Sequence, residues 1–224
     1  MKKLCFALLL VWLPCCAELF AQGPPVQAVP AASPSALRQD RLPPLPQSQL
    51  TEAQQKASEE FVTIRKTAVF GPFVPLLRSP ELMLRLAAMG EYLRYRTSLP
   101  PRLSEFIILI TARQWTQEYE WSAHYQIALK AGLNAEIAAA VAEGRRPAKM
   151  AEDEEIVYEF STELHRNKSV SDVTYARAVA KFGEKGMMDI VGVNGYYTAL
   201  AMALNTGRTP TPKDWKPMLA PLPH

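Results

Sequence analysis

The chain has 224 residues, 48% of them hydrophobic, with 25 basic and 22 acidic side chains and a formal net charge of +3. That length and apolar content suit one well-buried domain or two small ones, and exclude a fibrous or wholly disordered chain. The near balance of charge leaves no electrostatic footprint for nucleic acid or for an anionic membrane surface.

The N-terminus, "MKKLCFALLLVWLPCCAELFAQG", has the layout of a secretory signal: Lys2 and Lys3, an apolar stretch from Leu4 to Leu13, then small residues suited to cleavage. About ten apolar residues are too few to span about 30 Å of hydrocarbon as a helix. The expectation is a signal peptide over 1–21, cut after Ala21 or Ala17, and a secreted or periplasmic product with no stable membrane span. Lipid attachment at Cys16 is the lesser alternative, because "WLPC" lacks the small residues that such processing needs. All three cysteines, Cys5, Cys15 and Cys16, fall in this segment. The processed chain would therefore have no disulfide and no thiol chemistry. Removing Lys2, Lys3 and Glu18 leaves 23 basic and 21 acidic residues.

Residues 22–50 are rich in Pro, Ala, Ser and Gln and read as a disordered or polyproline-like linker. From Thr51 onward the pattern is helical. A first helix runs from Thr51 as N-cap towards Gly71. A second starts at Ser79 with Pro80 in its first turn and stops before Pro100, with Leu82, Leu86, Met89 and Leu93 as its buried stripe. "RLSEFIILITARQW" is apolar almost all round, which marks the central helix of the domain. The next takes Thr116 as N-cap and Gly132 as its stop, and a short helix follows Asn134. Three longer ones complete the domain: 150–167, a Ser171-capped helix ending at Gly183, and 186–206. No alternating strand pattern rises above short ambiguous pieces such as "DIVGV". The fold class is all-α, a compact array of about eight helices over 51–210, followed by a Pro-rich C-terminal tail, 211–224.

Two stretches carry candidate chemistry. Glu105 is the sole carboxylate of the apolar helix, so it either reaches water near the helix start or is partnered in the core. On the following helix Gln117, Glu120 and His124 fall on one face beside Trp121, and a Glu four residues before a His can orient the imidazole for proton transfer. With three histidines in the chain and no His-Glu-x-x-His spacing, no metal site is expected.

The stretch "LPPRLSEFIILITARQWTQEYEWSAHYQIALKAGL" resembles the carboxymuconolactone decarboxylase family, which includes the alkylhydroperoxidase D-like proteins. "RSPEL" ahead of it and "GYYTALAMALN" behind it extend the resemblance over about 72–206. In the peroxidase branch a Glu, a Cys-x-x-Cys pair and a His act together. Glu105 and His124 match the Glu and the His, while Gln117 and Glu120 occupy the cysteine positions. Without thiols no sulfenic acid or disulfide can form, which excludes the thiol peroxidase mechanism and points to the cysteine-free, decarboxylase-like branch. The resemblance implies a cofactor-free lyase acting on a small carboxylated or lactone compound, in a homo-oligomer, trimer or hexamer. His124 would donate the proton, Glu105 would tune or restore it, and Glu120 would orient the ring. Arg102, with Arg94 or Arg96, would hold a substrate carboxylate, and Gln117, Tyr119, Trp121, Tyr196 and Tyr197 would line the pocket. The competing expectation is a non-catalytic exported binding or assembly protein of the same fold.

Overall fold

The computed structural model describes residues 40–219, so the expected signal segment, most of the linker and residues 220–224 lie outside it. The described residues form eight helices and no strand: α1 (Glu52–Arg65), α2 (Phe73–Leu76), α3 (Pro80–Tyr95), α4 (Pro101–Gln114), α5 (Glu118–Lys130), α6 (Ala135–Ala142), α7 (Glu152–Asn167) and α8 (Asp172–Gly207). Among them no helix is long and apolar enough to cross a membrane.

Helix boundaries follow local chemistry. The Thr51 hydroxyl accepts from the Gln54 amide and the Gln54 side chain accepts from the Thr51 amide, a reciprocal cap at the start of α1. The helix stops at Arg65, short of Gly71, because Lys66 turns left-handed (φ 58°). Pro100 and Pro101 separate α3 from α4, Pro101 sitting in a first turn that needs no amide hydrogen. Asn134 and Ser171 cap α6 and α8 as expected. The cap of α5 is Gln117, one residue later than expected: Thr116 adopts φ 45° and ends the preceding turn, while the Gln117 side chain accepts from the Tyr119 amide at 2.8 Å. Gly183, at φ 69° and ψ 171°, breaks α8 where the sequence places a stop, and the chain resumes helical geometry directly after it.

Helix α4 is the spine. Every residue from Leu103 to Arg113 is buried, and α4 packs against α5, α7 and α8, with smaller contacts to α3 and α6. Its apolar surface is therefore used inside the domain. Helix α3 departs from the expected register. Met83, Ala87, Gly90 and Leu93 face the core, while Leu82 and Met89 are exposed. The large apolar side chains were the misleading signal, since the small residues Ala87 and Gly90 allow close approach by neighbouring helices.

Residues 40–50, expected as linker, are docked. The Arg41 amide donates to the Gly207 carbonyl at 2.7 Å, and Arg78 donates to the carbonyls of Leu42 and Pro43 at 3.1 and 2.5 Å. The tail also returns to the domain: Met218 and Leu219 amides donate to the Glu118 carboxylate at 2.8 and 3.0 Å, and Trp215 lies against Tyr119 with ring centroids 5.3 Å apart.

The Gly183 backbone occupies a region that a side chain strains, although a Cβ there meets nothing within 4 Å. Gly183→Ala should therefore lower unfolding free energy by about 1–3 kcal/mol through the backbone alone. Urea denaturation checks this, and an unchanged midpoint and slope would contradict it.

Candidate functional site

The turn at 115–117 folds α5 back along α4, which sets His124 against Glu105 across 19 residues of sequence. His124 Nδ1 and Glu105 Oε2 are 2.6 Å apart, with both side chains buried. A carboxylate accepts only, so this geometry has Nδ1–H donating to Glu105 and leaves Nε2 turned to Glu120, whose Oε2 is 3.7 Å away. The orienting bond thus comes from Glu105, reversing the expected roles of the two acids. The register explains it: the i, i+4 spacing of Glu120 and His124 brings them near, but the cross-helix partner gets the hydrogen-bond distance.

Glu120 is 3% exposed, and its Oε1 has no hydrogen-bond partner. Burial pushes its carboxyl up from the usual range, against the opposing pull of His124, Arg94 and Arg65. The group is held towards its neutral, proton-donating form. Arg94, from the last turn of α3, approaches the other oxygen of Glu105 at 4.0 Å. Tyr197 presents its ring edge-on to the imidazole (centroids 5.1 Å, 86°), with Tyr196 edge-on behind it. Burial raises the Tyr196 phenol to about 12 and Tyr197 well above its ordinary value, so both remain protonated donors near neutrality.

These groups border a cavity of about 90 Å³. Its polar lining is His124, Glu120, Arg94, Arg65, Tyr119 and the Tyr196–Tyr197 pair, and Phe70, Pro72, Phe73, Ala123, Ile127 and Leu200 complete the walls. Gly90 of α3 has a specific task beside it: a Cβ there would lie 2.1 Å from the Tyr196 hydroxyl and 2.8 Å from Arg65 Nη1. Only glycine lets both polar groups lean across the helix.

The remaining expected site residues are elsewhere. Arg102 is bound to Asp153, at 2.7 Å, and to Glu154, tying α4 to the acidic first turn of α7. Arg96 is exposed and pairs with Glu91 at 2.5 Å. Gln117 donates to Asn205 at 2.7 Å as well as capping α5, and Trp121 is buried in the core near Tyr125. None of the four borders the cavity. Arg65, Phe70 and Phe73 do, and sequence reading missed them. Arg65 closes α1, where a basic residue near a helix C-terminus reads as ordinary dipole compensation.

Residues 80–153 match the family model described as "Carboxymuconolactone decarboxylase family". This segment is similar to that family over about a third of the chain. It spans α3 to the start of α7 and contains Glu105, Glu120, His124 and Arg94, whereas Arg65, Tyr196 and Tyr197 come from outside it. A solved structure of similar fold is the crystal structure of a variant of the debrominase Bmp8 in complex with 2,3,4-tribromopyrrole. It is 13% identical, with a TM-score of 0.59, and the alignment covers 77% of this chain and 91% of that one. Comparison with curated proteins gives no match. The segment match is to the carboxymuconolactone decarboxylase family, and the all-α fold is shared with the solved structure.

The raised Glu120 carboxyl has a consequence for stability. In the folded chain this group keeps its proton to higher pH than in the unfolded chain, so unfolding free energy falls as pH rises above the ordinary carboxylate range. Glu120→Gln removes that dependence. Its stability relative to the parent, from urea denaturation, should improve between about pH 4.5 and about pH 7.5. A difference that stays constant over this interval would show that Glu120 ionises without penalty.

Proposed function

We propose that the protein is an exported, cofactor-free lyase of the carboxymuconolactone decarboxylase type, acting on a small carboxylated or lactone compound by proton transfer through His124. The observation that carries this reading is the 2.6 Å contact between Glu105 and His124 at the wall of a small, largely apolar cavity. A buried carboxylate fixed to one imidazole nitrogen sets the tautomer and leaves the second nitrogen for chemistry.

In the proposed step the bond between the substrate carbon and its carboxylate breaks. Carbon dioxide leaves, and the electron pair is delocalised into the conjugated lactone. The carbanion-like carbon is then protonated by the His124–Glu120 pair, burial shifting the Glu120 carboxyl upward from its ordinary range. Glu105 stabilises the charged imidazole whenever His124 carries the second proton. Water restores the proton after product leaves. Substitution of the cysteine positions by Gln117 and Glu120 supports acid–base rather than thiol chemistry, because cysteine occurs only at positions 5, 15 and 16. The signal-like N-terminus supports export, and its position in an exported protein favours a substrate other than the lactone that names the family. The exposed apolar side chains Leu82 and Met89 on α3, and Met188 and Met202 on α8, support self-association into a homo-oligomer.

The test is carbon dioxide release from 4-carboxymuconolactone and a panel of small unsaturated carboxylates. His124→Ala should lose about 10²- to 10⁴-fold in turnover, and Glu105→Gln should also be impaired because a neutral amide cannot hold the charged imidazole. Equal turnover by parent and His124→Ala would reject the role given to this residue.

A further inference from the structure

The cavity beside His124 is smaller than a cyclic compound. It measures about 90 Å³, whereas a dry cavity of about 150 Å³ is the scale that admits a benzene ring. A ligand with a ring therefore enters when part of the wall moves. Much of the wall is fixed in the core: Phe73, Glu120, His124, Tyr196, Tyr197 and Leu200 are all buried. The side nearest solvent is marked by Phe70 and Ile127, 36% and 39% exposed, and by the half-buried Tyr119. Tyr119 is the wall residue that the core does not hold. Its ring lies against the backbone of Gly71, at φ 47°, where an added Cβ would come within 2.6 Å of the phenol oxygen, and against Trp215, with centroids 5.3 Å apart. Trp215 belongs to residues 209–219, which form no helix and lack three backbone donors at Pro210, Pro212 and Pro217. This segment is anchored at the residue next to Tyr119. Both oxygens of the Glu118 carboxylate accept backbone amides, Met218 at 2.8 Å and Leu219 at 3.0 Å, and the Ser122 hydroxyl donates to the same carboxylate at 2.9 Å.

We propose that Tyr119 is the gate of this cavity and that residues 209–219 form a strap that keeps it shut, with Trp215 and Glu118 as positioning residues. The proposal rests on the reading of the cavity as the ligand site. A segment held by a few hydrogen bonds and one ring contact opens at lower free energy than the packed helices around it, which is where lids are found. Lifting the strap frees the Tyr119 ring to swing away from Gly71, widens the cavity towards Phe70 and Ile127, and uncovers the His124 imidazole. The strength of the strap then sets the size of ligand admitted and the rate of entry, while the acid–base groups stay in place. The strap lies outside the family-matched segment 80–153, and Tyr119 lies within it.

Carbethoxylation of the full chain by diethyl pyrocarbonate, followed residue by residue by mass spectrometry, tests this without a substrate. His124 reacts through Nε2, the nitrogen turned to Glu120 and the cavity, and reports opening. His165, half-buried in the last turn of α7 and 3.3 Å from the Thr111 hydroxyl, reports general loosening. In Trp215→Ala and in Glu118→Gln the His124 rate should rise at least about fivefold with the His165 rate unchanged, because the strap loses an aromatic contact in one and charge-assisted hydrogen bonds in the other. Tyr119→Ala should raise the His124 rate by itself, and adding Trp215→Ala to it should change nothing further. An unchanged His124 rate in both strap variants would overturn the proposal, as would a parallel rise at His165 or an undiminished effect of Trp215→Ala in the Tyr119→Ala background. Carbon dioxide release keeps the two ideas apart. Parental turnover in His124→Ala with faster His124 labelling in the strap variants removes the lyase and leaves the gate, whereas turnover that depends on His124 with labelling unchanged in the strap variants removes the gate and leaves the lyase.

Discussion

The site depends on one buried hydrogen bond, between Glu105 of α4 and His124 of α5. Helix α4 is enclosed along eleven consecutive residues, Leu103 to Arg113, and Glu105 is the sole carboxylate among them. An ionised acid in such a place is costly by several kcal/mol unless it is partnered. His124 provides the partner, Arg94 adds a guanidinium at 4.0 Å, and the α4–α5 turn makes the approach possible. The same constraint that keeps the acid in the core holds the imidazole in one orientation beside the cavity. Structure and chemistry share this contact, and substitutions at either residue would act on both.

Around that contact the site has two parts of different origin. The family-matched segment supplies Glu105, Glu120, His124 and Arg94. The first helix and the last supply Arg65, Tyr196 and Tyr197, with Phe70 and Phe73 from the connection between α1 and α3. The Glu105–His124 pair therefore lies in the matched segment, while much of the cavity wall comes from the flanking elements. The tail adds to this outer part, since Trp215 backs Tyr119 and Glu118 anchors residues 218 and 219.

The signals legible in the sequence were local or strongly patterned. Caps at Thr51, Asn134 and Ser171, the break at Gly183 and the enclosure of α4 follow from residue chemistry within a few positions. Glu105 and His124 were identifiable because a lone acid in an apolar helix and a His on the next one are both conspicuous. Features set by tertiary packing were not legible. The stripe Leu82, Leu86, Met89, Leu93 gives a fair helical period, yet the packed face is the one with Ala87 and Gly90, where space matters more than apolar area. Arg102 looked like a substrate anchor because its partners, Asp153 and Glu154, lie about fifty residues away in sequence. Arg65 gave no signal, since its role depends on Gly90 and on the fold of the 66–79 connection. The exchange of roles between Glu105 and Glu120 turns on a difference of 1.1 Å, from 2.6 to 3.7 Å, which sequence spacing does not encode.

The central claim is that Glu105 fixes the His124 tautomer, with the proton on Nδ1 and with Nε2 facing Glu120 and the cavity. Nitrogen-15 correlation spectra of the histidine rings, assigned with His124→Gln, test it most directly. The account predicts that the neutral His124 ring carries its proton on Nδ1, in a hydrogen bond that is lost in Glu105→Gln. A neutral ring protonated on Nε2, or one with both tautomers equally populated and insensitive to Glu105→Gln, would contradict it.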